Sequence, residues 1–253
     1  MKQSILVIRL LQVLAAIAVL LLAHYGYGWL AAIIVVAEPL YRWFKNNRTW
    51  PGFINISPEL IFGLSVVSLV SLTRPPIGQS VFPVISQVVL AVVYALWLMY
   101  RPKIEASQNL GLILVGANQM LAVGSIFLAS AYWDWPNLIV VVATWVVSFL
   151  NAWWVLQQRG ERAAQIIAAS WALIAAEIAW VLHTWQVNYI IADGIMIIPQ
   201  ASIVTLGVGY CMLSIYTAHS AKRLSRRRLV EYVSIAGVIL AIVITGTRWN
   251  GTT

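Results

Sequence analysis

The sequence predicts an all-α fold, a polytopic transmembrane helix bundle with about nine helices. Hydrophobic residues make up 61% of the 253 positions and charged residues only 9%, whereas a soluble domain carries roughly a quarter of its residues as charges. The apolar residues collect in stretches close to the roughly 20 residues that a helix needs to cross a bilayer. Lysine and arginine fall in every second break between these stretches. These features exclude an ordinary soluble protein.

Candidate spans follow one another along the whole chain, with short connections between them. They cover residues 5–23, 29–44, 58–73, 81–100, 109–131, 137–156, 163–185, 194–216 and 230–247. We therefore expect one integral membrane domain over residues 1–253, with no soluble domain. The first span is interpreted as an uncleaved helix that also targets the protein to the membrane. If the segment 29–44, which Glu38-Pro39 interrupts, is re-entrant or interfacial, the bundle has eight crossings.

The distribution of positive charge predicts the orientation. If the N-terminus is cytoplasmic and all nine segments cross, 14 of the 16 basic residues lie on the cytoplasmic side, and only Arg74 and Arg248 lie outside. Short basic connectors remain cytoplasmic during insertion. The prediction is a multi-pass protein of the plasma membrane with its N-terminus inside and its C-terminus outside.

Two local patterns predict helix details. Ser57-Pro58-Glu59 has the form of an N-cap, a proline at the first helical position and an acid in the first turn, so it is expected to open the third helix. Pro199 falls inside the eighth span and predicts a kink there.

One dense basic run follows the eighth span and indicates contact with lipid. Its members are Lys222, Arg223, Arg226, Arg227 and Arg228. Basic residues beside a membrane attract the headgroups of anionic phospholipids at the cytoplasmic face. The same position against the bilayer makes a nucleic-acid partner improbable.

The acid Glu177 is the best candidate for chemistry, because it lies near the middle of the seventh span. A charged side chain at this depth costs about 2.5 kcal/mol or more, so the neutral acid is the expected form. The candidate polar site consists of Glu177, Trp180, His183, Asn118, Gln119, Asn151 and Gln200. Two interpretations stay open. Glu177 accepts protons or binds a polar substrate in a transport path, or it bonds to amides that hold neighbouring helices together.

Signatures of enzymes and of metal sites are missing from the sequence. HExxH, GxxxxGK[ST] and CxxC do not occur, and the single Cys211 excludes an intrachain disulfide and a cysteine metal cluster. We expect no catalytic residue, no metal and no cofactor. The leading hypothesis is a small carrier or a subunit or scaffold of a membrane assembly, with a membrane-protein partner. The alternative is a membrane-embedded enzyme that acts on a lipid-linked substrate near Glu177 and His183.

The last third of the chain carries a resemblance. Glu177 with Trp180, the run Leu224-Ser225-Arg226-Arg227 leading to Glu231-Tyr232, and the closing Arg248-Trp249 are its residues. With them the chain resembles a family of multi-spanning membrane proteins from small-genome bacteria of the candidate phyla. The resemblance implies a helical membrane architecture and a bacterial inner membrane, and that family has no established activity to carry over.

Overall fold

The structure, a computed structural model, describes residues 2–45, 48–73, 82–105, 108–184, 188–191, 196–220 and 225–246. Within these residues the chain forms nine helices and one short antiparallel hairpin. The elements are α1 (Lys2–His24), α2 (Gly28–Lys45), α3 (Trp50–Leu72), α4 (Phe82–Glu105), α5 (Gln108–Trp133), α6 (Asn137–Gln158), α7 (Ala164–Thr184), β1 (Asn188–Ile191), β2 (Met196–Pro199), α8 (Gln200–Ser220) and α9 (Arg226–Gly246).

Four of the described helical segments are long and apolar enough to cross a membrane: Trp50–Leu72, Val115–Trp133, Asn137–Gln158 and Ala164–Thr184. Shorter apolar stretches lie in α1, α4, α8 and α9. Large apolar side chains also cover the outside of the bundle, such as Val92 of α4. Continuous apolar patches of this kind are rare on soluble monomers and are solvated by lipid tails in a bilayer. The prediction of a helical membrane protein is confirmed at this level.

Contacts at one end of the bundle join the ends of α1 and α3 to the start of α4. His24 closes α1, and its Nδ1 lies 2.7 Å from Oε1 of Gln87 in the second turn of α4. The Gln87 Nε2 donates to the carbonyl of Val70 at the end of α3, over 3.1 Å. Therefore α4 runs antiparallel to both α1 and α3.

The opposite end, which we call the basic face, joins the ends of the even-numbered helices to the starts of the odd-numbered ones. Trp50 at the start of α3 packs on Trp153 near the end of α6, with ring centroids 5.8 Å apart. Tyr216 near the end of α8 donates to Glu161, which lies between α6 and α7. The helix ends and connections here carry Arg42, Lys45, Arg48, Arg101, Lys103, Arg159, Arg162, Arg226 and Arg227. Successive helices thus alternate in direction, with the basic connectors on one side.

The most extensive contact between helices is the antiparallel pair α6 and α7. Every residue that α7 buries is an alanine, and these alanines lie on one face of the helix: Ala164, Ala168, Ala172, Ala175, Ala176 and Ala179. Ala179 clusters with Val140 at one end of α6, and Ala168 clusters with Val155 at the other. Small side chains let two backbones approach closely, which favours helix association in lipid.

The predicted start of the third helix is wrong. The helix begins at Trp50 and not at Pro58, because Thr49 caps it by accepting from the Gly52 N–H with its side-chain oxygen. Pro58 lies inside the helix, where it removes the N–H that would bond to the carbonyl of Ile54. The hydroxyl of Ser57 donates to that carbonyl over 2.9 Å, and the helix continues.

The predicted eighth span, 194–216, is also corrected at its start. Residues 196–199 form a strand that pairs with 188–191, with Ile191 opposite Met196 and Asn188 opposite Pro199. Pro199 therefore ends the hairpin directly before α8 and does not kink a helix. Strings of isoleucine on both sides of Asp193-Gly194 are the sequence signal that favours a hairpin; Asp193 itself lies outside the described residues.

We predict that Ala175→Leu destabilises the α6–α7 pair. Ala175 is fully buried in the alanine stripe, and extra methylenes in a close-packed contact cost about 1–3 kcal/mol. The measurement is the free energy of unfolding in mixed detergent micelles. Ala131→Leu, at an exposed alanine of α5, is the matched control and should change little. Equal destabilisation by both variants would contradict the packing argument.

We also predict a pH-dependent contribution from the Tyr216–Glu161 bond. The bond from the Tyr216 hydroxyl holds the pKa of Glu161 below its ordinary value of 4.5. A carboxyl pKa lowered by folding stabilises the folded state above the ordinary value, and this is lost as pH falls through the folded pKa. Tyr216→Phe should therefore lower the unfolding midpoint at pH 7, and less below pH 4.5. Tyr210→Phe, on the exposed side of α8, is the control, and a pH-independent difference would contradict this account.

Candidate functional site

A chain of hydrogen bonds between buried polar side chains joins α5 to α6. Asn118 donates to Asn151 Oδ1 over 2.9 Å, and Asn151 donates to Gln119 Oε1 over 2.9 Å. Gln119 in turn donates to the hydroxyl of Ser148 over 2.7 Å. All of these side chains are buried. We call this set the amide network.

The direction of the amide network is fixed by the backbone of α3. Asn118 also donates to the carbonyl of Pro58 over 3.2 Å, and a carbonyl can only accept. The amide nitrogen of Asn118 must therefore face Pro58, and its oxygen must face away. That oxygen is fully buried and has no hydrogen-bond partner among the described residues. The network thus has a buried acceptor that a water molecule or a polar ligand would satisfy.

The structure brings together three of the predicted site residues and separates the others from them. Asn118, Gln119 and Asn151 meet in the amide network. Gln200 is buried in the first turn of α8, two residues before Ser202. Ser202 packs closely against Gly124 of α5, since a Cβ atom at Gly124 would lie 3.0 Å from the Ser202 hydroxyl oxygen. Gly124 lies six residues beyond Asn118 along α5, about 9 Å. Gln200 therefore belongs to another level of the bundle.

Glu177 does not face the amide network. Its side chain is exposed on the outside of α7, as is Trp180, which is 61% exposed. Within the described residues Glu177 has no hydrogen bond or ion pair. His183 turns inward and packs edge-to-face on Phe127, with ring centroids 6.0 Å apart. Six residues separate Glu177 from His183, which amounts to about 240° of rotation around the helix, so the two side chains do not form one site.

A buried ion pair that the sequence analysis missed lies between α2 and α3. Glu59, expected only to start a helix, is buried inside α3 and pairs with Arg42. Arg42 Nε also lies 3.0 Å from Glu38 Oε1, off the axis of its N–H, so this second contact is ionic. Tyr94 of α4 is buried within electrostatic range of both acids. The only sequence signal was the spacing of four residues between Glu38 and Arg42.

Gln87, a buried amide at the start of α4, orients a histidine. Its nitrogen donates to the carbonyls of Val70 and Thr73, over 3.1 and 3.4 Å. Its oxygen is therefore the atom that faces His24, and the Nδ1 of His24 must carry the proton that the oxygen accepts. This contact ties the end of α1 to α3 and α4.

The structure describes part of the basic run that was predicted to bind lipid headgroups. Arg226 and Arg227 are exposed at the start of α9, which suits contact with headgroups. Arg228 lies in the same helix turn, while Lys222 and Arg223 lie outside the described residues. In the part of the chain that the structure describes, no three His, Cys, Asp or Glu side chains are grouped to hold a metal ion.

Comparison with known proteins identified no relative of this chain. No family model, no curated protein and no solved structure matches the chain.

We predict that Asn151→Leu destabilises the protein more than Asn118→Leu. Removing Asn151 leaves a donor on Asn118 and the acceptor of Gln119 buried and unpaired, at about 1–3 kcal/mol. Removing Asn118 leaves an unpaired acceptor on Asn151 and removes one bond to the Pro58 carbonyl, which keeps its place in the hydrogen bonding of α3, and it also eliminates the acceptor that already lacks a partner.

The free energy of unfolding in mixed micelles measures this order. Thr144→Val is the control. The Thr144 hydroxyl is buried without a hydrogen-bond partner among the described residues, so its loss should be neutral or slightly stabilising. The reverse order of the two asparagine variants would contradict the assigned direction of the network.

Proposed function

We propose that this protein is a non-enzymatic structural subunit of a bacterial inner-membrane assembly. The observation that carries the proposal is the outward position of Glu177, about one turn past the middle of α7 and between the exposed apolar residues Leu173 and Trp180. An acid that faces lipid at this depth costs about 2.5–3.5 kcal/mol on insertion scales. A polar group supplied by another chain would offset that cost. Of the other acids inside helices, Glu38 and Glu59 both lie against Arg42.

The proposed topology is nine crossings, with the N-terminus in the cytoplasm and the C-terminus outside. The alternating helix directions and the grouping of basic connectors on the basic face support it, because basic connectors remain cytoplasmic. The segment 29–44 belongs to α2, which is continuous through Pro39. Its 18 residues span about 27 Å at 1.5 Å each, close to the hydrocarbon thickness. The exposed Arg226 and Arg227 would bind anionic headgroups of the inner leaflet.

A small carrier is the second candidate, and one observation favours it. The unpartnered oxygen of Asn118 lies deep in the bundle, beside a network of amides. A hydrated ion or a small polar solute would satisfy it. The amide network is otherwise paired within the chain, however, and Glu177 faces away from it. The third candidate, an enzyme for a lipid-linked substrate near Glu177 and His183, is disfavoured because Glu177 faces outward and His183 faces inward.

The test of the proposal is the mass of the protein extracted directly from its own membrane into native lipid discs. We expect particles heavier than one 28.1 kDa chain. Trp180→Ala, on the outside of α7, should reduce the fraction of heavier particles about tenfold, since large exposed aromatic residues dominate many interfaces. Val92→Ala, on the outside of α4, is the matched control and should have no effect. Single-chain particles from wild-type membranes would overturn the proposal.

A thiol-labelling experiment separates the assembly from the carrier. Glu177→Cys is placed in a Cys211→Ala background and treated from outside the cell with a membrane-impermeant maleimide. An assembly subunit predicts protection, because position 177 faces hydrocarbon or a partner. Rapid labelling would indicate a water-filled path to this position and would favour the carrier.

A further inference from the structure

The outside of α7 carries a second pattern, on the face opposite to its alanine stripe. Six exposed residues recur at alternating intervals of four and three positions, with the exposed Gln165 and Val181 on either side of them: Ile166, Ser170, Leu173, Glu177, Trp180 and Thr184. We call this set the outer seam. A strict seven-residue repeat is the pattern of a helix that pairs along its length with another helix. The outer seam therefore has the spacing of a helix–helix contact that none of the described helices of this chain makes with it.

The two positions of the repeat differ in chemistry. One position is apolar and large, with Ile166, Leu173 and Trp180 exposed by 72%, 56% and 61%. The other position is polar, and its members, Ser170, Glu177 and Thr184, are also exposed.

The outer side of α4 provides the contrast, because its exposed residues between Val84 and Leu96 are uniformly apolar, as lipid contact alone requires. A row of polar groups at equal spacing across the bilayer requires a further explanation.

We propose that the outer seam binds the outer seam of a second copy of this chain, in a parallel pair about a two-fold axis along the membrane normal. This proposal deepens the proposed function and rests on it. Every copy inserts with the same orientation, so a symmetric pair in one membrane brings each seam residue to the same depth as its counterpart. Glu177 of one copy would then face the Glu177 position of the other.

The polar row is self-complementary, which favours a second copy over another protein. A hydroxyl and a neutral carboxyl each donate one hydrogen bond and accept others. The hydroxyls of Ser170 and Thr184 donate to the carbonyl oxygens of Ile166 and Trp180 in their own helix, with an oxygen–oxygen distance of 3.0 Å in each bond. Their oxygens retain lone pairs that can accept from the second copy. At Glu177, the O–H of one carboxyl would donate to a carboxyl oxygen of the other.

A basic side chain from a different protein would match the seam less completely. It would satisfy Glu177 with its charge, but it offers nothing to the hydroxyls one heptad above and below, at Ser170 and Thr184. The apolar positions Ile166, Leu173 and Trp180 fit either partner. Such a partner is therefore treated as an outcome of the test.

The test uses single cysteines in the full-length chain in its native membrane, in a Cys211→Ala background. Leu173→Cys and Ile166→Cys lie on the outer seam, and Val92→Cys, exposed near the middle of α4, is the matched control. On oxidation we expect a disulfide-linked species of twice the 28.1 kDa chain mass at the seam positions only. Absence of that species at both seam positions, or equal formation at Val92→Cys, would overturn the proposal.

A pair of substitutions at Glu177 tests the hydrogen bond at the centre of the seam. Glu177→Gln keeps a side chain that both donates and accepts, so the fraction of dimer in native lipid discs should stay within about twofold of wild type. Glu177→Val should lower the dimer association constant by about 5- to 30-fold, as expected for interhelical hydrogen bonds in lipid. Equal dimer fractions for the two variants would contradict the role of this bond, and unfolding midpoints establish that both variants are folded.

The masses of the native particles distinguish a failure of the proposed function from a failure of the proposed dimer. Single chains in wild-type membranes would overturn the proposed function and this inference together. Particles that contain another protein seated on the outer seam, with no dimer of this chain, would overturn this inference and leave the assembly subunit standing.

Discussion

A polar group inside a bilayer has no water to bond with, and the packing of α3, α5 and α6 follows from this constraint. Pro58 removes one N–H from the middle of α3, and the hydroxyl of Ser57 occupies the carbonyl of Ile54 that is left open. Asn118 of α5 then donates to the carbonyl of Pro58 itself and to Asn151 of α6. One local disturbance in a helix is thus linked to the network that fixes the relative positions of three helices.

The two faces of α7 differ in side-chain size: small residues pack against the bundle, and larger ones lie on its outside. Lipid is as apolar as leucine, so helices in a membrane associate through close packing and polar contacts. Alanines such as Ala168 and Ala175 bring α7 against α6. On the other side, Leu173 and Trp180 extend away from the bundle and are exposed among the described residues. Lipid or another chain would cover that surface in a membrane.

Segment length and charge predicted the helices well, and they predicted α2 as a helix in spite of Glu38-Pro39. The side of each helix that turns inward was harder to predict. Residues three and four positions apart, such as Glu177 and Trp180, share one face of a helix, but spacing alone does not say whether that face is inside. The alanine stripe held the missing signal, since small residues mark a packed face in lipid. Ser57-Pro58-Glu59 failed because a capping pattern and a compensated proline inside a helix have the same local sequence.

The different locations of Glu59 and Glu177 are the reason to propose an assembly subunit before a transporter. Glu59 is buried, and Arg42 compensates it within the same chain. Glu177 carries a comparable insertion cost, yet its exposed side chain gains no hydrogen bond or ion pair from the part of this chain that the structure describes. An acid that served a transport path would face the interior, where the amide network lies. The proposal therefore assigns the compensating interaction of Glu177 to a second chain, at the centre of the outer seam.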